Sequence, residues 1–184
     1  AKVITLIDVG GNERYTKSLI KGLCVHYPDY ALIVVDAEAC ARNGCRIDND
    51  KNVLDNFRIA FAFQVPVIIV VTKIDCLENI EPTKNVGESR EKLLSNIVFQ
   101  LRNQLWDLGK RVGNVVNDKQ DIVVITRQME VVCPIFAVSN KTLEGIALFK
   151  EFLNSLQFAG NDNDGSEEQA LQVDSEFQVT RIFQ

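Results

Sequence analysis

Three segments carry residues whose types and spacing could do chemistry together. In LIDVGGNERY, Asp8 is followed by Gly10 and Gly11. A carboxylate at that point could hold Mg²⁺, directly or through water, and a backbone without side chains lets an N–H approach a phosphate oxygen closely. Taken alone, the same D-x-x-G describes an ordinary strand-to-helix turn. In VVTKID, an apolar run ends in Thr72, Lys73 and Asp75. A carboxylate there can accept hydrogen bonds from N1 and N2 of a guanine base while a lysine stem lies along the ring. Adenine lacks that donor pair and would be rejected; the plain alternative is a solvated strand terminus. In AVSNKT, backbone N–H groups at Ser139 and Asn140 could meet the guanine carbonyl oxygen. Each signal is weak alone, but three of them in this order, each at a strand end, point to one ligand site.

The elements that must position these residues read as α/β. Val3–Asp8, Ala31–Asp36, Val67–Thr72 and Ile135–Val138 are short, β-branched and nearly continuous in apolarity, as parallel strands covered on both faces should be. Amphipathic stretches alternate with them. One helix is expected over about Glu88–Leu108, where Leu94, Ile97, Leu101, Leu105 and Leu108 recur at helical steps and Gly109 offers a left-handed stop. Ile146, Phe149, Leu153 and Leu156 form a second stripe with Thr142 as its N-cap. Val53, Leu54, Phe57 and Phe61 form a third, entered through Asp48–Asp50. Within the 113–126 insertion, the polar stretch Gly113–Gln120 precedes an extra apolar run, Ile122–Thr126, which reads as a strand or hairpin arm.

The chain has 184 residues, 46% of them hydrophobic and 24% charged, enough for one domain with a substantial core. A formal net charge of -5 argues against strong nucleic-acid binding by this segment, and no DNA partner is expected. Five cysteines without a C-x-x-C pair and the single His26 argue against a disulfide framework or a zinc site and favour a reduced, cytoplasmic setting. No apolar run is long enough to span a bilayer. Ala159–Glu168 (AGNDNDGSEE) buries almost nothing and reads as a linker. It does not make a calcium loop, because Gly160 and Leu171 would fall where carboxylates are needed. Phe177, Val179 and Ile182 then alternate with polar residues, as in the first strand of a further β domain.

Together, KVITLIDVGGNERY, VPVIIVVTKID and CPIFAVSNKTLEGI resemble the translation-factor superfamily of GTPases, which includes elongation factor Tu. Within it they resemble the eukaryotic branch of GTP-binding proteins one and two, including Thr72 where most GTPases have Asn before the lysine. The resemblance implies a P-loop-NTPase-type parallel sheet flanked by helices, with a GTPase domain at 1–158, a linker at 159–174 and the first strand of a β-barrel at 175–184. It implies a GTP/GDP site in which Asp8 and Gly11 serve Mg²⁺ and the γ-phosphate, Thr72, Lys73 and Asp75 the guanine, and Ser139 with Asn140 the closing loop. It also implies GTP hydrolysis in the intact protein, as a switch acting on the ribosome or RNA through other domains.

The sequence departs from that pattern in three ways. No G-x-x-x-x-G-K-[ST] occurs, so the loop that cradles phosphates is missing from the chain, together with a Mg²⁺ ligand. The resemblance places that loop, a first strand and the switch segment upstream of Lys2, with the first strand lying in the sheet between the strands at Val3–Asp8 and Ala31–Asp36, and the chain is expected to be a piece of a longer protein. Asn12 stands where translation GTPases carry a histidine that orients the attacking water; it cannot bring positive charge to the phosphate, so hydrolysis is expected to be slow. Gly10 adds freedom before Gly11. Two rival readings remain: a degenerate GTPase that binds nucleotide or partners without hydrolysis, and a nicotinamide-dependent oxidoreductase. The second lacks G-x-G-x-x-G after a first strand.

Overall fold

The computed structural model describes residues 3–11, 13–45, 47, 51–79 and 89–156. Among them are helices α1 (Thr16–His26), α2 (Ala37–Arg42), α3 (Lys51–Ala62), α4 (Arg90–Gly109), α5 (Lys119–Ile125) and α6 (Ile146–Ser155). The strands are β1 (Ala31–Asp36), β2 (Val67–Thr72), β3 (Val112–Val115) and β4 (Val132–Ala137), and two 3-10 turns lie at Glu13–Tyr15 and Ile74–Asn79. The strands form one all-parallel sheet in the order β1-β2-β4-β3. This is the α/β fold class expected from the alternation of apolar runs and amphipathic stretches.

Apolar side chains from the two faces build two cores. On one face Ile33, Val35, Val67, Ile69, Val71 and Ile135 pack with Cys40 of α2, Phe57 of α3 and Ile97, Leu101 and Leu105 of α4. On the other, Ile68, Val70, Phe136 and Val138 pack with Ile122 and Ile125 of α5 and Phe152 of α6. β2, central in the sheet, is buried from Val67 to Val71 and fits the expectation of a doubly covered strand. Cys133 of β4 belongs to the first core, and burial pushes its thiol pKa up to about 11.

β1 departs from that expectation. Leu32 and Val34 are aligned with Ile68 and Val70 of β2, yet they remain 45% and 55% exposed, because no described helix covers the sheet there. Its outer edge has no strand beside it among the described residues. Val3–Asp8, expected as a strand, has no regular structure, and Val3 and Leu6 are 82% and 80% exposed. A lone extended segment has no ladder to satisfy its N–H and C=O groups, and none of the described strands pairs with this one.

Three more expectations change. Ile122–Thr126 is not a strand: Ile122 and Ile125 form the buried side of α5, whose start is fixed by a capping box between Asp118 and Asp121. The extra strand is the preceding β3, in the stretch read as polar. Thr142 does not cap α6; Gly145 does, in the left-handed region. Gly109 is the last residue of α4 and the left-handed stop is Lys110, at φ 53°. Gly109 instead permits close packing, since a Cβ there would lie 2.8 Å from the Phe61 ring. Residues 48–50, 159–174 and 175–184, with the helix entry, linker and β-barrel strand expected there, lie outside the described residues.

Candidate functional site

The parallel register brings three strand ends to one level. Asp36 at the end of β1 is aligned with Thr72 at the end of β2, and Val71 with Ala137, two residues before Ser139. The Thr72 hydroxyl donates to the Val35 carbonyl at 3.3 Å, pinning the β1 and β2 ends together. Lys73 then turns the chain with a φ of 59°, and the wholly buried Ile74 anchors the following 3-10 turn in the core. The turn presents Asp75 toward the loop after β4.

Asp75 and Ser139 meet there. The Ser139 hydroxyl donates to Asp75 Oδ1 at 2.6 Å and accepts from the backbone N–H groups of Lys141 and Thr142 at 3.2 and 3.1 Å. Ser139 is fully buried. Its own N–H, expected from sequence to face a guanine carbonyl, donates to the Glu144 carbonyl at 3.0 Å. Its part in the site is therefore to close the loop and aim Asp75. Asn140 lies exposed on the same loop. The hydrogen bond from Ser139 holds the Asp75 carboxyl below its ordinary pKa, so the group is an anion with acceptor capacity left over.

Asp36 joins this cluster of strand-end side chains, although no role for it was read from the sequence. Its Oδ1 accepts from Ala39 N at 3.1 Å, capping α2, and its Oδ2 accepts from Lys73 Nζ at 2.6 Å. Burial pushes the Asp36 pKa up, but the bonds from Lys73 and Ala39 outweigh it and the net shift is downward. The same contact raises the Lys73 pKa. The lysine stem is thereby drawn across the ends of β1 and β2. The one sequence signal was that ALIVVD, like VVTKID, carries its acid at a strand end.

The phosphate-side residues are not gathered in the same way. Asp8 is exposed in an irregular stretch, and the Gly11 carbonyl accepts from Asn56 Nδ2 of α3 at 3.3 Å. Asn12 lies outside the described residues. No group of three or more metal-ligating side chains occurs among the described residues. One exposed carboxylate does not make a magnesium site, because that ion takes near-octahedral oxygen coordination and needs phosphate oxygens and water besides.

The family model described as the elongation factor Tu GTP binding domain matches residues 1–158. The chain belongs to that family. It is 31% identical to GTP-binding protein 1 of Xenopus laevis over 186 residues, covering 99% of this chain and 25% of the relative. It is 30% identical to GTP-binding protein 2 of Homo sapiens and of Mus musculus over 187 residues, covering 100% of this chain and 27% of each relative. The chain thus spans about a quarter of the length of these curated relatives. Guanine nucleotide is the ligand class that goes with this GTP-binding domain family. No helix among the described residues is long and apolar enough to cross a membrane.

Proposed function

We propose that this GTP-binding domain reads guanine through Asp75, with the Lys73 stem under the base and the 139–142 loop closing over it. In the whole protein, GTP hydrolysis would then act as a translation-factor-like switch. The observation that carries the base-reading half is the Ser139–Asp75 hydrogen bond at 2.6 Å, which fixes an anionic acceptor at the mouth of the sheet beside Lys73. Phosphate binding falls, in this reading, to a strand and loop beside the unpaired outer edge of β1, where Leu32 and Val34 stand uncovered. Asp8 would contribute one contact to a Mg²⁺ ion carried by the phosphates, and Gly11 an N–H to the γ-phosphate. Partners such as the ribosome or RNA, in the cytoplasm, would be met through other domains.

Calorimetry with GDP, ADP and xanthosine diphosphate tests the base reading. Guanine carries donors at N1 and N2, whereas xanthine presents an acceptor at the second position, so Asp75→Asn should exchange a preference for GDP for one for xanthosine diphosphate. Equal binding of GDP and ADP by the unsubstituted protein would overturn the assignment. A second reading, a nucleotide-binding or interaction module without hydrolysis, is supported by Asn12 in place of histidine. Single-turnover phosphate release separates the two: in the full protein Asn12→His should turn over faster, and equal rates would remove Asn12 from the account.

A further inference from the structure

We propose that Arg90 is a positioning residue of the guanine-reading site, tying the turn that carries Asp75 to the loop that carries Ser139 and so setting how long a bound base is held. The inference rests on the guanine reading above. Asp75 and Glu78 lie in the same 3-10 turn, Ile74–Asn79. Glu144 lies in the loop after β4, and its carbonyl accepts the Ser139 N–H. Arg90, the first residue of α4, reaches both: Nη1 donates to Glu78 Oε1 at 3.2 Å, and Nη2 donates to Glu144 Oε2. One planar guanidinium, through two different nitrogens, thus fixes the two carboxylates relative to each other.

Two features set this contact apart from an ordinary surface pair. A cation in the first turn of a helix opposes the helix dipole, so Arg90 is unfavourably placed for α4 itself and is offset by the two acids it holds. The helix behind it is immobilised by the fully buried Ile97, Leu101 and Leu105, which gives the guanidinium a fixed base. The Arg90 side chain is only 27% exposed, whereas Glu78 and Glu144 are 61% and 50% exposed. Among the described residues, the direct hydrogen bonds that otherwise join the two segments are Ser139–Asp75 and the long Ile74 N–Val138 O contact at 3.5 Å. Loss of Arg90 leaves those two bonds as the direct hydrogen-bonded ties between the turn and the loop, while the Val138 N–H still anchors the loop to the Val71 carbonyl at 2.8 Å.

The test is dissociation of a fluorescent GDP from the full protein, chased with unlabelled GDP in a stopped-flow instrument. Partly exposed ion pairs are weak, so Arg90→Ala should speed release by about fivefold while association changes less than about twofold. Arg90→Lys, a point charge without the fork, should restore only part of the lifetime. Glu144→Gln should speed release too, and the Arg90→Ala/Glu144→Gln pair should fall short of the product of the two single effects. Unsubstituted protein that binds no GDP would overturn the guanine reading and this inference with it. GDP binding with unchanged release from Arg90→Ala would overturn the inference alone, as would fully multiplicative effects in the pair. Should Arg90→Ala fail to fold, Glu78→Ala with Glu144→Ala removes the same contacts and must give the same faster release.

Discussion

Ser139 is a fully buried polar residue whose hydroxyl makes three hydrogen bonds. Ser139→Ala leaves the Lys141 and Thr142 N–H groups without their acceptor and Asp75 without its donor. The expected loss is about 1–3 kcal/mol of stability, read from urea unfolding, together with weaker GDP binding. The acids on either side of it define the pH response. Asp75 and Asp36 both have folded-state pKa values below the ordinary one, held there by Ser139 for Asp75 and, against the opposing push of burial, by Lys73 and Ala39 for Asp36. A carboxyl lowered on folding contributes stability that is complete above its unfolded pKa, about 3.9, and lost as pH falls through the folded value. The thermal midpoint should therefore hold from neutrality down to about pH 5 and fall below about pH 4. Asp36→Asn, which keeps the cap on α2 and surrenders the charge, should flatten that acid limb; an unchanged acid limb would show that Asp36 has no share in it.

At the scale of elements, the loop between β4 and α6 depends on one backbone position. Gly145 sits at φ 73°, and a Cβ there would lie 2.1 Å from the Ala137 carbonyl oxygen. Gly145→Ala combines left-handed strain of about 1–2 kcal/mol with that clash, and should move Ser139 relative to Asp75 and impair GDP binding as well as stability. Asp118→Ala removes the α5 cap at a cost of about 1 kcal/mol; its carboxylate bonds the N–H groups of Gln120 and Asp121 rather than the Asp75–Ser139 pair, so GDP affinity should be unchanged. Thermal melts and calorimetry on the two variants check the contrast. Much of this level was legible in advance. β2, β4 and α4 are strongly patterned segments whose burial follows their spacing, and the positions of Lys73 and Asp75 after β2 and of Ser139 after β4 follow from them. α5 was misread because IVVI is β-branched, and local propensity lost to the Asp118 cap and to the packing of Ile122 and Ile125. Val3–Asp8 was misread because apolarity marks a strand only when a neighbour exists to pair with it. Asp36 and Arg90 left no pattern, since their partners are 37 and 54 residues away in the chain, at Lys73 and Glu144.

For the whole molecule, β1 is the strand whose second face stays half-covered among the described residues. An edge with no strand beside it among the described residues, and with Leu32 and Val34 exposed next to it, is a template for another strand or another copy of the chain. In the isolated polypeptide, Val34→Lys should lower self-association seen by light scattering at micromolar concentration and leave the unfolding free energy within about 0.5 kcal/mol. Unchanged scattering would clear this edge of responsibility. At the other end of the scale of protection stands Cys133, wholly buried in β4 with its thiol pKa near 11. A thiol reagent reaches it only when the sheet parts, and then finds a sulfur six residues upstream of Ser139 on the same chain. Its labelling rate is therefore a clock for the opening of the strand that delivers Ser139, running behind the half-buried Cys24 and Cys76. If nucleotide locks that strand in place, adding GDP should slow the clock without touching the sulfur.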